Sequence, residues 1–498
     1  MGQMQQLSII LVLLLALLLR LPLLDGSLWL DEAAQALESA RPLNQQLHIP
    51  QDFQPPLLHL LTFVSMRAGA NFDLARSEWW LRTWGALLPG LLMIYASYQV
   101  SKHLFDRRLA LLTSLLLATS SLHIFYSQEL RPYSLPAMWA LLGTWALLAH
   151  RRTGARGGGR GSWLAFVLSS IAGLYSSYLY PFFLCGQLLW LRQSGMSWRR
   201  WLLTGVVIAL GFAPWLPAFL EQLQVGQALR ASLPGWEEVV SLTPLWTTIM
   251  LPLKFVYGVL DLEITGFYLL SSLVLGGGLG WLLLRLWQKR AQHQEQLAPL
   301  FYFLVMPLVS AWLVSLVVPV LQAKRVLMLL PFFYMLLVYL LQSARGHYRW
   351  LKRAVWLTLL MIQVAGISAY WSEPKLQREN WRDLVSQIET DYGAGAVALF
   401  SFDAAFAPWH WYSQGKTPTL ASGIYYLPEL ADPAAHFRPV SDYQQALVFD
   451  YLRDLTDPGD LLPATLRELG FAEIGALDYP NIGLVRIYEA VKLEERVE

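Results

Sequence analysis

Long apolar segments alternate with short polar ones from residue 7 to residue 370. Each segment supplies most or all of the ~20 apolar residues that a helix needs to cross a ~30 Å hydrocarbon core. The pattern therefore predicts a polytopic α-helical membrane protein with about 11 transmembrane helices. The predicted spans are residues 7–24, 85–100, 109–122, 134–149, 162–176, 178–191, 201–219, 266–287, 298–318, 326–342 and 354–370.

The composition agrees with this pattern. Hydrophobic residues make up 55% of the 498 positions and charged residues only 14%, which excludes a protein that is water-soluble throughout. The net charge of +2 gives no reason to expect a nucleic-acid partner, whereas membrane lipids are expected ones. Segment 7–24 is interpreted as a span and not as a cleaved signal peptide, because no Lys or Arg precedes it and no small-x-small cleavage site follows it.

Basic residues collect in alternate loops. Five loops hold 17 Lys and Arg residues, whereas the intervening short loops hold only five. The positive-inside rule places the basic loops in the cytoplasm, so the N terminus is cytoplasmic and the residues after 370 lie outside. The expected location is the cell membrane, with a multi-pass topology. The five basic loops are residues 102–108, 150–160, 192–200, 285–290 and 344–353.

The composition changes at about residue 371. Residues 379–391 show an amphipathic helical pattern, residues 396–402 show a short strand-like run, and the alternation continues toward the C terminus. A compact α/β domain of ~120 residues fits these signals. We therefore predict a transmembrane domain over residues 1–370 and an extracytoplasmic α/β domain over residues 371–498.

The first outer loop, residues 25–81, carries two adjacent carboxylates where the chain leaves the first span. The stretch "LLDGSLWLDEAAQALESA" places Asp31 and Glu32 there, and "DFQPPLLHLL" contains His59. A loop of this length with amphipathic material is expected to lie along the membrane surface as short helices. The simplest role for the two carboxylates is to stabilise the start of a helix through its macrodipole.

Two more outer stretches carry charge. In "SSLHIFYSQELRPYSLPAMWALL", residues Glu129, Arg131 and Tyr133 stand in a very short turn between two spans, which holds them at the interface. In "VVPVLQAKRVLMLLPFF", Lys324 and Arg325 lie on the outer side, against the charge bias. Cations in that position are costly without an anionic partner. A lipid phosphate is one such partner, and snorkelling to headgroups is the alternative explanation.

Together these stretches resemble the C-type glycosyltransferase superfamily. The resemblance rests on "DE" early in the first outer loop, "QPPL" at 54–57, "YSQELRPYSL" at 126–135 and "KRVLMLLP" at 324–331. The matching branch includes protein O-mannosyltransferases and lipid A aminoarabinose transferases. Members usually have tyrosine where this chain has Val326. The resemblance implies a polytopic enzyme that moves a sugar from a polyprenyl-phosphate carrier to an acceptor on the outer face of the membrane.

Such a transfer requires a base for the attacking hydroxyl and cations for the phosphate that leaves. Asp31 is the candidate base, and Glu32 either orients it or contacts the acceptor. Direct displacement inverts the anomeric centre, so no covalent sugar-enzyme intermediate is expected. The acceptor is a lipid, a glycan or a protein.

The candidate ligands of the leaving phosphate are the cations Arg131, Lys324 and Arg325, and the guanidinium groups of the two arginines also suit bidentate recognition of oxygen. Tyr133, His59 and Glu129 are the candidate substrate contacts. Glu129 has three candidate roles, which are to position sugar hydroxyls, to bind a divalent cation or to pair with Arg131. No cofactor and no dedicated metal site is predicted beyond that cation.

A flippase or exporter of polyprenyl-linked glycans is the alternative function. Transporters tend to show paired halves and charged residues near mid-membrane. This chain shows neither pattern, and its charges collect at the outer interface. The sequence therefore favours an enzyme.

Overall fold

The computed structural model describes residues 2–46, 53–153, 159–232, 244–260, 265–288, 290–316, 321–343 and 349–491. Parts of the predicted first outer loop, of two further outer loops, of several basic loops and of the C-terminal domain lie outside these ranges.

The described part of each predicted span lies mainly on helices, so the prediction of an α-helical protein is confirmed. The helices of this region are α1 (Gly2–Leu18), α2 (Leu30–Ser39), α3 (Leu43–Gln46), α4 (Leu57–Gly69), α5 (Glu78–Arg82), α6 (Leu88–Leu104), α7 (Arg107–Thr119), α8 (Ser121–Tyr126), α9 (Ser134–Thr153), α10 (Arg160–Leu174), α11 (Tyr180–Gln193), α12 (Trp198–Phe212), α13 (Leu216–Ser232), α14 (Pro244–Tyr257), α15 (Gly266–Gln288), α16 (Arg290–Leu300), α17 (Met306–Ser315), α18 (Leu330–Ser343) and α19 (Arg349–Ser372).

Within the described ranges, four helical stretches are long and apolar enough to cross a bilayer. They are Trp198–Ala228, Gly266–Leu286, His293–Ser315 and Arg349–Ser372. Two shorter apolar helices, Leu7–Leu18 and Leu327–Ser343, accompany them. A membrane protein is therefore supported, and the number of about 11 spans stays a prediction.

Small residues let two helices approach the turn at 127–133. A methyl group added at Gly90 in α6 would lie 2.5 Å from the Ser127 Cβ, and one added at Gly85 would lie 2.7 Å from the Leu130 Cδ1. Real Cβ atoms do not come so close, and helix interfaces in membranes rely on small residues for this reason. The two glycines therefore allow the turn to sit deep between helices.

Arg20, directly after α1, ties the first helix to the same turn. Its guanidinium is fully buried and donates to the carbonyls of Ala16 and Ala118 at 2.7 and 3.0 Å, and to the Ser127 hydroxyl at 2.7 Å. The chain then leaves the bundle through residues 21–29 and enters α2. This arrangement fixes the position at which Asp31 emerges.

The C-terminal residues fold around a five-stranded sheet. The strand order is β2-β1-β3-β5-β4, with β1 parallel to β2 and β3, and with β5 antiparallel to β3 and β4. Its strands are β1 (Ala396–Phe400), β2 (Thr419–Ala421), β3 (Gln445–Phe449), β4 (Phe471–Tyr479) and β5 (Gly483–Ala490). Its helices are α20 (Trp381–Asp391), α21 (Ala407–Tyr412), α22 (Pro433–Phe437), α23 (Arg453–Thr456) and α24 (Leu461–Glu468).

Alternation along the central strands buries both faces of this sheet. Phe400 and Phe449 stack at 4.8 Å on one face, against Trp381 of α20. Leu399 and Val448 lie on the other face. Side chains of a strand alternate between faces, so neighbouring residues of β1 feed two separate cores.

The sheet domain contacts the first outer loop. The Tyr412 hydroxyl accepts from the Leu28 backbone N–H at 2.7 Å and donates to a Glu78 oxygen at 2.9 Å. Arg382 pairs with the same Glu78 oxygen at 3.2 Å. These bonds hold the C-terminal residues against the start of α2, beside the predicted site.

Candidate functional site

Five segments meet where α2 begins. They are the start of α2, the end of α5, the turn at 127–133, the loop at 321–326 and residues 378–382 after the last helix of the bundle. The geometry below shows which of the predicted side chains share this place.

Glu32 lies at the centre of the cluster and is fully buried. Its carboxylate accepts two bonds from Arg82, at 2.9 and 2.6 Å, and one from the Leu130 N–H at 2.6 Å. Arg378 lies 3.6 Å away. Burial raises the pKa of Glu32, but the two guanidinium groups and their hydrogen bonds outweigh it and hold this pKa below its ordinary value. Glu32 is therefore an ionised anchor that joins three segments.

Asp31 has a different environment, although it is the next residue. About a third of its side chain is exposed, and its Oδ2 lies 3.8 Å from the Arg131 Nη2. Successive residues of a helix point about 100° apart, which explains why one carboxylate faces the interior and the other a partly open surface. Asp31 thus remains accessible while its neighbour fixes the helix.

The predicted phosphate ligands lie beside Asp31. The Lys324 ammonium lies 5.9 Å from the centre of the Trp29 ring and 5.8 Å from that of Tyr133, within the range of cation–π attraction. Burial lowers the pKa of Arg325, and the neighbouring charge of Arg131 lowers it further, whereas the charge of Asp31 opposes the shift. Three cations and one accessible carboxylate therefore share this surface.

Glu129 lies beneath that surface. Its Oε2 is 3.4 Å from the Arg378 Nη2, so its ion-pair partner in the structure is Arg378. Its predicted pairing with Arg131 is a backbone contact instead, in which the Arg131 N–H donates to the Glu129 carbonyl at 2.7 Å. Burial raises the pKa of Glu129 to about 7, against the opposing charge of Arg378. Glu129 therefore changes charge near neutral pH.

Glu379 is a further buried acid next to α2. It accepts from the Leu30 N–H at 3.3 Å, from the Trp381 indole at 2.7 Å and from the Tyr451 hydroxyl at 2.8 Å. Burial raises its pKa to about 7, although these hydrogen bonds oppose the shift. The start of α2 is thus held by the C-terminal residues.

His59 lies in a neighbouring polar group. Its Nδ1 is 2.8 Å from the Gln35 amide nitrogen and 3.1 Å from the Ser39 hydroxyl, and its Nε2 is 3.1 Å from the Gln54 amide nitrogen. Gln35 and Ser39 lie one and two turns beyond Asp31 on α2. His59 is buried among these groups, so the structure places it beside the charged cluster and not within it.

Three members of the cluster were not predicted: Arg82, Arg378 and Glu379. Arg378 and Glu379 follow the last predicted span just as Asp31 and Glu32 follow the first, and that symmetry is the signal that identifies them. Arg82 lies at the end of the first outer loop, in "WWLRTWG". Among the described residues, no group of three or more His, Cys, Asp or Glu is arranged to hold a metal ion.

The helical bundle with its apolar helices, the charged cluster and the docked sheet define a membrane protein with a candidate site at one end. No protein-family model and no curated protein matches the chain. Among solved structures, ArnT from Cupriavidus metallidurans bound to undecaprenyl phosphate is similar over 97% of this chain and 98% of that chain, with a TM-score of 0.57 and 15% identity. The same ArnT in the apo state gives a TM-score of 0.56 and 14% identity, with 97% of each chain covered.

The oligosaccharyltransferase of Archaeoglobus fulgidus in the apo form is similar over 98% of this chain and 75% of that chain, with a TM-score of 0.53 and 12% identity. ArnT and this oligosaccharyltransferase are C-type glycosyltransferases. The chain therefore shares its fold with these proteins, which agrees with the resemblance that its motifs carry.

Proposed function

We propose that this protein is an inverting membrane glycosyltransferase that moves a sugar from a polyprenyl-phosphate carrier to a lipid, glycan or protein acceptor. The observation that carries this proposal is one accessible carboxylate, Asp31, beside three cations at the exit of the first helix. The fold supports it, because a solved structure of the same fold is bound to undecaprenyl phosphate.

Asp31 acts as the general base. It is the carboxylate of the cluster that is both accessible and next to the cations, and a base must reach the acceptor hydroxyl within hydrogen-bond distance. Attack by the deprotonating hydroxyl oxygen on the anomeric carbon forms the new glycosidic bond and breaks the bond to the phosphate oxygen. The phosphate leaves with the electron pair of that bond.

Arg131, Lys324 and Arg325 receive the leaving phosphate. Positive charge that is already in place stabilises the developing anion without reorganisation. Tyr133 lies against Lys324 and is positioned to contact the sugar or the phosphate. Glu129 lies beneath this surface and His59 lies beside the cluster. Both act through the shape of the site.

Glu32 positions the base. Three groups make four contacts with its carboxylate, which is fully buried and so is not accessible to an acceptor. Of its two predicted roles, orienting Asp31 fits this geometry. Because Glu32 fixes the first turn of α2, its loss moves Asp31 relative to the cations.

The topology that fits this chemistry has about 11 spans, a cytoplasmic N terminus and an extracytoplasmic C-terminal α/β domain. The charge bias of the loops supports this orientation. A reporter fused after residue 371 is expected to be active only outside the cytoplasm, and one fused at residue 156 only inside. A cytoplasmic reporter at 371 would contradict the proposed side of the site.

The test of the reaction uses purified full-length protein and a panel of synthetic undecaprenyl-phosphate pentoses and hexoses, with total membrane lipids as acceptors. Asp31→Asn keeps the shape of the side chain but removes the proton acceptor, and it should slow transfer by roughly 10²–10⁴. Asp25→Asn changes an exposed carboxylate of the same loop and is the control. Near-normal turnover in Asp31→Asn would refute the catalytic role.

A further inference from the structure

A large cavity opens at the other end of the bundle, between α1, α7, α18 and α19. Its volume is about 1220 Å³. Its rim carries four cations: Arg108, Arg349, Lys352 and Arg353. None of them belongs to the charged cluster described above. Lys352 lies 20 residues before the end of α19, which places it ~30 Å from that cluster along the helix.

The four cations stand without an acidic partner in the part of the chain that the structure describes. Among the described residues, no carboxylate forms a salt bridge with any of them. Lys352 donates to the Gln342 amide oxygen at 3.0 Å, which is a neutral acceptor. Arg108 lies close enough to Lys352 for their charges to repel. Like charges held together in this way are unfavourable unless an anion occupies the space between them.

The wall below the rim is apolar and exposed. Leu15, Leu115, Leu357 and Leu360 line it, and all four side chains are exposed. The cavity extends from Lys352 to Gln363 along α19, a depth of ~16 Å. Gln363 is already bonded to the Thr119 hydroxyl at 2.6 Å, so the deep end offers apolar contacts. The cations at the rim match the charged headgroup of an anionic lipid, and the leucines below them match its acyl chains.

We propose that this cavity is a binding site for an anionic phospholipid of the cardiolipin class, with its two phosphates at the rim and its acyl chains along the leucines. Four cations exceed what one phosphate neutralises, which favours a headgroup with two. Basic pockets between membrane helices on the cytoplasmic side bind such headgroups. The charge bias of the loops puts this end on that side.

The test uses the full-length protein in detergent, titrated with cardiolipin and followed by native mass spectrometry. The variant Arg108→Gln/Lys352→Gln/Arg353→Gln removes three rim charges. At roughly fivefold per cation, cardiolipin affinity should fall about 100-fold. The control Lys102→Gln/Arg192→Gln/Arg199→Gln removes three exposed basic residues that the charge bias puts on the same side but outside the cavity, and it should retain binding.

A second pair of variants tests the apolar wall without changing charge. Leu360→Trp fills the cavity, whereas Val364→Trp adds the same group one turn further on α19 at an exposed position outside it. Cardiolipin affinity should fall several-fold only in Leu360→Trp. Equal losses in the test and control variants would overturn the site.

The choice of lipid has its own comparison. Phosphatidylglycerol, with one phosphate, should bind at least tenfold more weakly than cardiolipin, and phosphatidylcholine should not compete. If undecaprenyl phosphate displaces cardiolipin at equal concentration, the cavity belongs to the polyprenyl carrier and the phospholipid assignment is wrong.

Discussion

The two ends of the helical bundle organise charge in different ways. At the end near α2, acids and bases alternate in a closed network, in which Glu32 binds Arg82 and Arg378, and Glu129 binds Arg378. At the opposite end, four cations surround a cavity with no carboxylate bridging them in the part of the chain that the structure describes. In the first network, the carboxylates and the cations that pair with them all belong to the protein itself. The four cations of the second have no carboxylate partner among the described residues, and this difference is the one expected between the proposed catalytic site and the proposed lipid site.

The sharpest way to break this comparison is to remove one cation from the closed network. Arg82→Met leaves the buried Glu32 carboxylate without its bidentate partner, and breaking such a pair costs roughly 3–5 kcal/mol. Arg67→Met, an exposed cation of the same outer loop, is the control and should change stability by less than about 0.5 kcal/mol. Thermal unfolding in detergent measures both. Equal melting temperatures would show that the network does not stabilise the fold.

Ligand binding at the outer end gives the next largest effect. Arg325→Ala should weaken binding of undecaprenyl phosphate by about one to two decades, because a charge-assisted hydrogen bond contributes roughly 1.5–3 kcal/mol. Arg453→Ala removes a cation of the sheet domain that pairs with Asp450 and Asp460 there, and it should leave binding unchanged. Unchanged binding in Arg325→Ala would mean that this side chain only snorkels to headgroups.

Protonation offers a third comparison within the outer cluster. Glu129 and Glu379 hold their protons up to about pH 7 in the folded protein but only to about 4.5 when unfolded. Folding therefore takes up protons in this pH range. The contribution of the two glutamates to stability is lost as the pH rises from about 4.5 to 7. Glu32 has a lowered pKa, so its contribution is lost only below about pH 4.5.

Glu379→Gln should accordingly flatten the fall in melting temperature between pH 5 and pH 8. Glu373→Gln, which changes an exposed carboxylate on the same segment, is the control and should keep the wild-type slope. The same slope in both variants would mean that Glu379 ionises in the folded protein as it does in the unfolded chain.

The smallest change in stability is expected at the opposite end of the bundle. The informative result is whether stability rises or falls. In lipid-free detergent, Lys352→Gln relieves repulsion with Arg108 and should leave stability unchanged or raise it by up to about 0.5 kcal/mol. Arg82→Met has the opposite sign. A marked loss of stability in Lys352→Gln would show that this lysine stabilises the fold. The two ends of the bundle would then differ less in how they use charge.

Much of the outer cluster could be predicted from the sequence. Asp31, Arg131 and Lys324 lie at span ends, and the membrane fixes all such residues at one depth, so their convergence follows from topology. The partners of Glu32 could not be predicted in this way. Arg82 is 50 positions away along the chain, and charge alone does not say which acid a distant base will meet.

The role of His59 was also beyond the sequence. Its hydrogen bonds to Gln35 and Ser39 depend on how α4 packs against α2, and residues four apart on a helix share a face only once the helix is known. The opposite-end cavity shows the same limit. Its basic residues were assigned to cytoplasmic loops, but the space between α7 and α19 is a property of packing.

The bond between Leu30 and Glu379 has a consequence for the order of biosynthesis. These residues are 349 positions apart, and the later one follows the last helix of the bundle. The start of α2 therefore leaves the ribosome long before the side chains that hold it. Until residues 378–382 have docked, Glu32 lacks its second cation and the start of α2 lacks its contact with Glu379. Under the proposed function, a partly made chain is therefore inactive, because the arrangement around Asp31 is complete only when the whole bundle has been made.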